Sequence, residues 1–223
     1  MSIRSKKFVE GEFYHIYNRG NSKQKIFHDK EDYQRFMSLL YISNRTKKFN
    51  LADFKKCKRR EMYKYEDNKS IVSIGSYSLM PNHFHVLLTQ TDSDENGISK
   101  FMHKLGTAYV TYYNKKYKRT GGLFESKFKS QYVKNDRHLK YLFSYIHFNP
   151  IKLIQKDWKE KGIRNKKEAL DFLNGYEFSS YLDFVEKDRF ESEILDTKPF
   201  PNYFPDKQAF TKEIFDWIGY LEK

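Results

Sequence analysis

Polar and apolar positions alternate along Glu12-Phe13-Tyr14-His15-Ile16-Tyr17-Asn18, which is the period of an extended strand rich in aromatics. Asn18-Arg19-Gly20-Asn21-Ser22 then turns the chain. Asp29 reads as an N-cap, and Tyr33, Phe36, Met37, Leu40 and Tyr41 recur at helical spacing, predicting a helix from about Lys30 to Arg45. A second strand, Ser70 to Tyr77, is followed by the turn signal Met80-Pro81-Asn82 and a third strand, His83 to Gln90, as its antiparallel neighbour. Thr91 to Gly97 is a polar loop. Ile98, Phe101, Met102, Leu105, Ala108, Tyr109 and Tyr112 then mark a long helix from Ile98 to Lys116, stopped at Thr120-Gly121-Gly122. Leu123 to Lys134 sets basic residues between aromatics and reads as a fourth strand. Asp136 to Asn149 is a helix whose apolar stripe is Leu139, Leu142, Phe143 and Ile146, and Pro150 bars its continuation.

Strand, helix, strand, strand, helix, strand is the split β-α-β, ferredoxin-like plan of the α+β class. It predicts a four-stranded antiparallel sheet with two helices on one face. The helix at 136–149 is extra to that plan. Residues 1–150 are expected as the sheet domain, with a basic insertion near 45–69, and 151–223 as a helical C-terminal extension. In that extension Trp158, Lys166 to Leu173, Tyr176 to Tyr181 and Phe210 to Leu221 suggest short helices, and Pro199 to Pro205 a linker.

Charge sharpens the picture. The chain of 223 residues carries 42 Lys and Arg against 29 Asp and Glu, a net of +13. Such an excess points to a polyanionic partner, nucleic acid before an anionic membrane surface. Between Arg45 and Arg60 eight basic residues face a single acid, Asp53, a one-signed run suited to phosphate contacts. No apolar run approaches the ~18 residues that would span a bilayer. The N-terminus lacks the apolar stretch of a secretory signal. The lone Cys57 excludes an internal disulfide and a cysteine-based zinc site. A cytoplasmic protein is expected.

Two places carry candidate chemistry. His83 and His85 lie two apart on a predicted strand, so both project from one face while Phe84 and Val86 point into a core. Two imidazoles so placed can offer nitrogen ligands to a divalent metal. On the last helix Tyr145 and Asn149 are four apart and stack on one flank of the apolar stripe, with His138 on the same flank. Taken singly, each is more often packing or surface. His138 and His147 read as ordinary flank histidines.

Met80-Pro81-Asn82-His83-Phe84-His85-Val86 together with Tyr145-Ile146-His147-Phe148-Asn149-Pro150 resembles the HUH-type single-tyrosine transposases of the IS200-like and REP-associated families. Tyr14 to Gly20, Gly122 to Lys127 and the later Phe178-Ser179-Ser180-Tyr181 also fit, and the resemblance covers roughly residues 10 to 155. It implies that His83, His85 and Asn149 hold a divalent ion, magnesium or manganese. It implies that Tyr145 attacks single-stranded or hairpin DNA, leaving a 5′-phosphotyrosine and a free 3′-hydroxyl. A phenol with an ordinary pKa near 10 calls for metal or cationic help, for which Lys127 and Lys129 are candidates. Arg19 is read either as a turn residue held by its neighbours or as a phosphate contact. Lys115, Lys118 and Arg119, at the basic end of the long helix, join Lys127 and Lys129 as expected DNA contacts. Location at the nucleoid and a homodimer are further expectations. The rival reading is a domesticated DNA-binding protein that keeps the fold and does not cleave. An unrelated metal hydrolase fits less well, since the clustered carboxylates of such sites are missing.

Overall fold

The computed structural model describes residues 7–47, 59–64, 69–91 and 96–219, with the side chains of 59 and 214–219 left aside. Most of the basic insertion, Cys57 and the last four residues lie outside the described residues. Four strands form one antiparallel sheet in the order β2-β3-β1-β4: β1 Phe13–Arg19, β2 Val72–Met80, β3 His83–Gln90 and β4 Lys129–Tyr132. The α+β class and the four-stranded antiparallel sheet are as the periodicity predicted.

The alternation of each strand sorts its residues between two faces. Ile16, Ile74, Tyr77, Leu79, Phe84, Val86 and Leu88 meet Phe36, Met37 and Leu40 of helix α1 (Lys30–Ser43) and Phe101, Leu105 and Tyr109 of α3 (Gly97–Lys116). A short α2, Arg59–Met62, adds Met62 to this core. On the opposite face Leu87 packs on Leu139, Leu142, Phe143 and Ile146 of α4 (Asp136–Phe148) and on Phe200. The close approach there follows from small residues: Ser76 and Ser78 stand beside Leu87 and His85, and a β-bulge lies between Ile74 and Ser76. A Cβ on Gly75, inside that bulge, would come within 2.7 Å of the Phe200 ring.

Several boundaries differ from the sequence expectation. Helix α1 ends at Ser43 rather than Arg45 because the Asn44 side chain is drawn to β2. Its Oδ1 accepts from the N–H groups of Ile71 (3.0 Å) and Val72 (2.8 Å), and its amide donates to the Val72 carbonyl at 2.8 Å. Strand β2 runs on to Met80, leaving Pro81-Asn82 as a two-residue turn. The strand expected over 123–134 shrinks to four residues. Residues 123–125 instead fold over the end of β1, with Asn21 N–H donating to Leu123 O and Glu125 N–H to Arg19 O. Helix α4 gives way at Asn149 to a 3-10 turn, Asn149–Leu153, whose early proline needs no N–H.

The tail adds α5 Trp158–Lys161, α6 Lys166–Gly175, α7 Tyr181–Phe184 and α8 Lys207–Gly219. Trp158, Leu173, Tyr181, Leu182 and Phe210 bury themselves with Phe148 and Ile151, the residues just past the tyrosine of α4. The stretch 177–180 is a turn with a single bridge from Ser179 to Ser78 of β2, not the helix suggested by its sequence. Leu79 N–H donates to Phe178 O and Ser180 N–H to Tyr77 O, both at 3.0 Å, so the tail satisfies the outer edge of β2. Among the described residues no helix is long and apolar enough to cross a membrane.

Candidate active site

Strand pairing assembles the site. Register sets Arg19 opposite His83 and Tyr17 opposite His85, with His15 opposite Leu87 one step along the same face. From β4, Lys129 stands beside Tyr17 and Gln131 beside His15. Helix α4 lies across this face and presents Tyr145. Its ring meets His85 edge-on with centroids 5.5 Å apart and His15 at 5.9 Å. Tyr141, one turn earlier, stacks on it at 5.9 Å.

His83 and Asn149 come together: the imidazole Nε2 is 3.3 Å from the amide Oδ1. On its other side the His83 Nδ1 lies 2.6 Å from Asn82 Oδ1. Oxygen accepts, so Nδ1 must carry the proton and donate to Asn82. The Nε2 lone pair then faces a second acceptor, the Asn149 oxygen. Two converging lone pairs, with the His85 ring 5.0 Å away, are a donor arrangement that a cation satisfies. Among the described residues no three His, Cys, Asp or Glu side chains gather as a ligand cluster.

His15 is the partner that sequence reasoning missed. Its Nε2 is 2.8 Å from His85 Nδ1, and both residues are buried, at 4% and 6% exposure. If His85 Nδ1 donates to His15, His85 is left with a bare Nε2, the form that binds metal. Burial pushes His15 and His83 down to about 4, with Lys159 adding to the effect at His15 and Lys152 and Arg19 at His83. Burial also lowers His85 well below its ordinary value. All three are therefore neutral, ligand-ready imidazoles at neutral pH. Burial raises the Tyr145 phenol, opposed by its hydrogen bond to Asn149.

The expected DNA contacts are spread over both faces. Arg19 is held by Glu125 through Nε–Oε1 at 2.9 Å and Nη2–Oε2 at 3.0 Å, beside His83 and open to solvent. Lys129 is exposed on the site face. Lys127 instead lines a groove of about 910 Å³ between α3 and residues 124–128, on the other face of the sheet. Lys115 and Lys118 are exposed at the end of α3, while Arg119 reaches back to Gln24 and the Gly122 carbonyl. The cation that meets Tyr145 comes from the tail: Lys159 Nζ lies 3.8 Å from the centre of its ring. No motif around Lys159 signals this. His15 could have been found from the period of β1, given the register.

Residues 42–149 match the family model described as "Transposase IS200 like". Over that stretch the chain is similar to IS200-like transposases. The matched stretch holds His83, His85, Tyr145 and Asn149 and leaves out His15 and Lys159. No curated protein matches the chain. Among solved structures, a REP-associated tyrosine transposase bound to a REP hairpin is similar in fold, with a TM-score of 0.52 and 12% identity over 86% of this chain and 90% of the other.

Proposed function

We propose that this protein is a metal-dependent single-strand DNA endonuclease and strand transferase that works through a 5′-phosphotyrosine, on hairpin or repeat DNA. One observation supports the reading: the His85 ring lies 5.5 Å from that of Tyr145, and Asn149 meets both the phenol and, at 3.3 Å, His83 Nε2. The hairpin-bound fold relative and the net charge of +13 support the choice of DNA. His83 Nε2, His85 Nε2 and Asn149 Oδ1 would hold magnesium or manganese, which when bound polarises the scissile phosphate and offsets its developing charge. Everything else falls to the chain. Asn149 orients the phenol by its hydrogen bond, His15 holds the His85 tautomer, and Arg19 and Lys152 flank His83 with positive charge for neighbouring phosphates.

In the reaction the Tyr145 Oη–P bond forms as the phenol loses its proton. The P–O3′ bond breaks, and the leaving oxygen takes up a proton as a free 3′-hydroxyl. Because the phosphodiester energy is kept in the tyrosyl ester, the reverse attack by a 3′-hydroxyl rejoins strands without a nucleotide cofactor. Incubation with labelled single-stranded hairpin DNA and manganese tests this. Wild type should give a covalent protein–DNA adduct, Tyr145→Phe none, and His83→Ala binding without cleavage. DNA binding with no adduct from wild type would replace this reading with a non-cleaving DNA-binding protein.

A further inference from the structure

The tail reaches the tyrosine with a charge. Trp158 is buried at 2% exposure and packs against Phe148, with ring centroids 6.2 Å apart, three residues past Tyr145. That anchor fixes the start of α5. The next residue, Lys159, is exposed along its side chain, yet its ammonium sits 3.8 Å from the Tyr145 ring centre. Three further rings neighbour that of Tyr145: Tyr141 stacked at 5.9 Å, and His15 and His85 edge-on at 5.9 and 5.5 Å. The ring is therefore bounded by aromatic neighbours and a cation, with its hydroxyl bonded to Asn149. Lys159 is also near enough to His15 and His85 for its charge to act on both.

We propose that Lys159 is a positioning residue for the tyrosine chemistry, so that the active site is completed by the tail and not by the matched stretch alone. The proposal rests on the reading of Tyr145 as nucleophile. A cation on the face of an aromatic ring is attracted by its quadrupole and restrains the ring. The same cation lies where an incoming phosphate adds negative charge, so ring restraint and charge compensation act at one place. Lys127 and Lys129, the helpers expected from the sequence, sit respectively on the other face of the sheet and beside Tyr17.

Lys159→Met keeps the stem and removes the charge; Lys159→Arg keeps a cation that stacks well on tyrosine. Two readouts decide. In the protein without DNA, 3-fluorotyrosine placed at 145 reports the ring environment by its fluorine resonance. Lys159→Met should shift or broaden it, and Lys159→Arg should restore it. With saturating hairpin DNA and manganese, Lys159→Met should slow single-turnover adduct formation about tenfold, with DNA affinity and melting temperature near wild type. Lys159→Arg should recover most of the rate. An unchanged resonance together with an unchanged rate overturns the proposal. So does a loss confined to DNA affinity, which would make Lys159 a plain phosphate contact. If wild type forms no adduct, the nucleophile reading fails by itself, and the fluorine comparison alone decides whether Lys159 positions the ring.

Discussion

At the scale of single residues, the site depends on which nitrogen of each imidazole carries a proton. His83 is settled by Asn82, whose oxygen can only accept, and His85 Nδ1 shares one proton with His15 Nε2. Outer partners of metal ligands commonly govern affinity 10- to 100-fold. His15→Gln should therefore raise the manganese concentration giving half-maximal adduct by about that factor, while leaving DNA affinity alone; an unchanged manganese requirement would remove His15 from the site. Buried neutral histidines also make stability depend on pH. His15 is pushed down to about 4 and His147, fully buried against Ser180, to about 3, in both cases chiefly by burial. Their unfolded values stay near 6.5, so below that pH the unfolded chain takes up protons that the folded one does not. Stability is unaffected by them above about pH 6.5 and falls as pH drops toward their folded values, by up to about 1.4 kcal/mol per pH unit for each. Urea midpoints at pH 7 and pH 5 should show the loss, and His147→Gln should flatten it.

At the scale of elements, the two helices under the sheet are tied by one buried carboxylate. Asp32, at 0% exposure in the first turn of α1, accepts from His28 N–H at 2.8 Å, Tyr112 OH at 2.9 Å, Tyr117 OH at 2.7 Å and Lys116 Nζ at 2.9 Å. Burial alone would raise its carboxyl; these donors win and hold it below the usual value. Lys116 is thus a structural cation within a stretch whose neighbours, Lys115 and Lys118, remain exposed. Asp32→Ala leaves Lys116 without its buried partner, the Tyr112 hydroxyl without its acceptor and Tyr117 with only the longer contact to Asp29, a loss of about 3 kcal/mol. A denaturant midpoint within error of wild type would contradict it. The β2 edge is bound in a similar way. Arg189 links Asp183 in α7 to the Tyr77 hydroxyl (3.1 Å) and the Ser179 carbonyl (2.6 Å), so the tail is fastened through the sheet to the α1–α3 core.

At the scale of the whole molecule, charge and layering set how DNA would be met under the proposed function. The site face carries Arg19, Lys129, Lys152 and Lys159, drawn from β1, β4, the 3-10 turn and α5. Affinity for single strands should fall with salt by a slope of about 0.7 for each phosphate neutralised. Lys152→Ala should reduce that slope by about 0.7 with no change in single-turnover rate at saturating DNA. A slope equal to wild type would place Lys152 outside the DNA path. With the β2 edge closed by residues 178–180, the remaining outer edge of the sheet is that of β4. A homodimer that extends the sheet would pair there, and light scattering on Ser130→Pro, which removes an N–H that faces away from β1, tests it.

Periodicity alone determined much of this. The two-residue period of β1 and β3 and the helical period of α1, α3 and α4 are local properties of the chain, and they yielded the sheet, its two helices and the extra one. The parity that puts His83 and His85 on one face, and the four-residue step from Tyr145 to Asn149, are equally local. What the tertiary structure decided was everything that depends on which elements lie side by side. The shift of β1 against β3 brings His15 to His85. The capture of Asn44 by β2 ends α1 early, and the folding of 123–125 over β1 shortens β4. Pairing of 177–180 with β2 overrides its helical reading, and a buried Trp158 swings Lys159 over the tyrosine. Each is a contact between residues far apart in sequence, made by backbone hydrogen bonds or by burial. No pattern within a short window encodes such a contact.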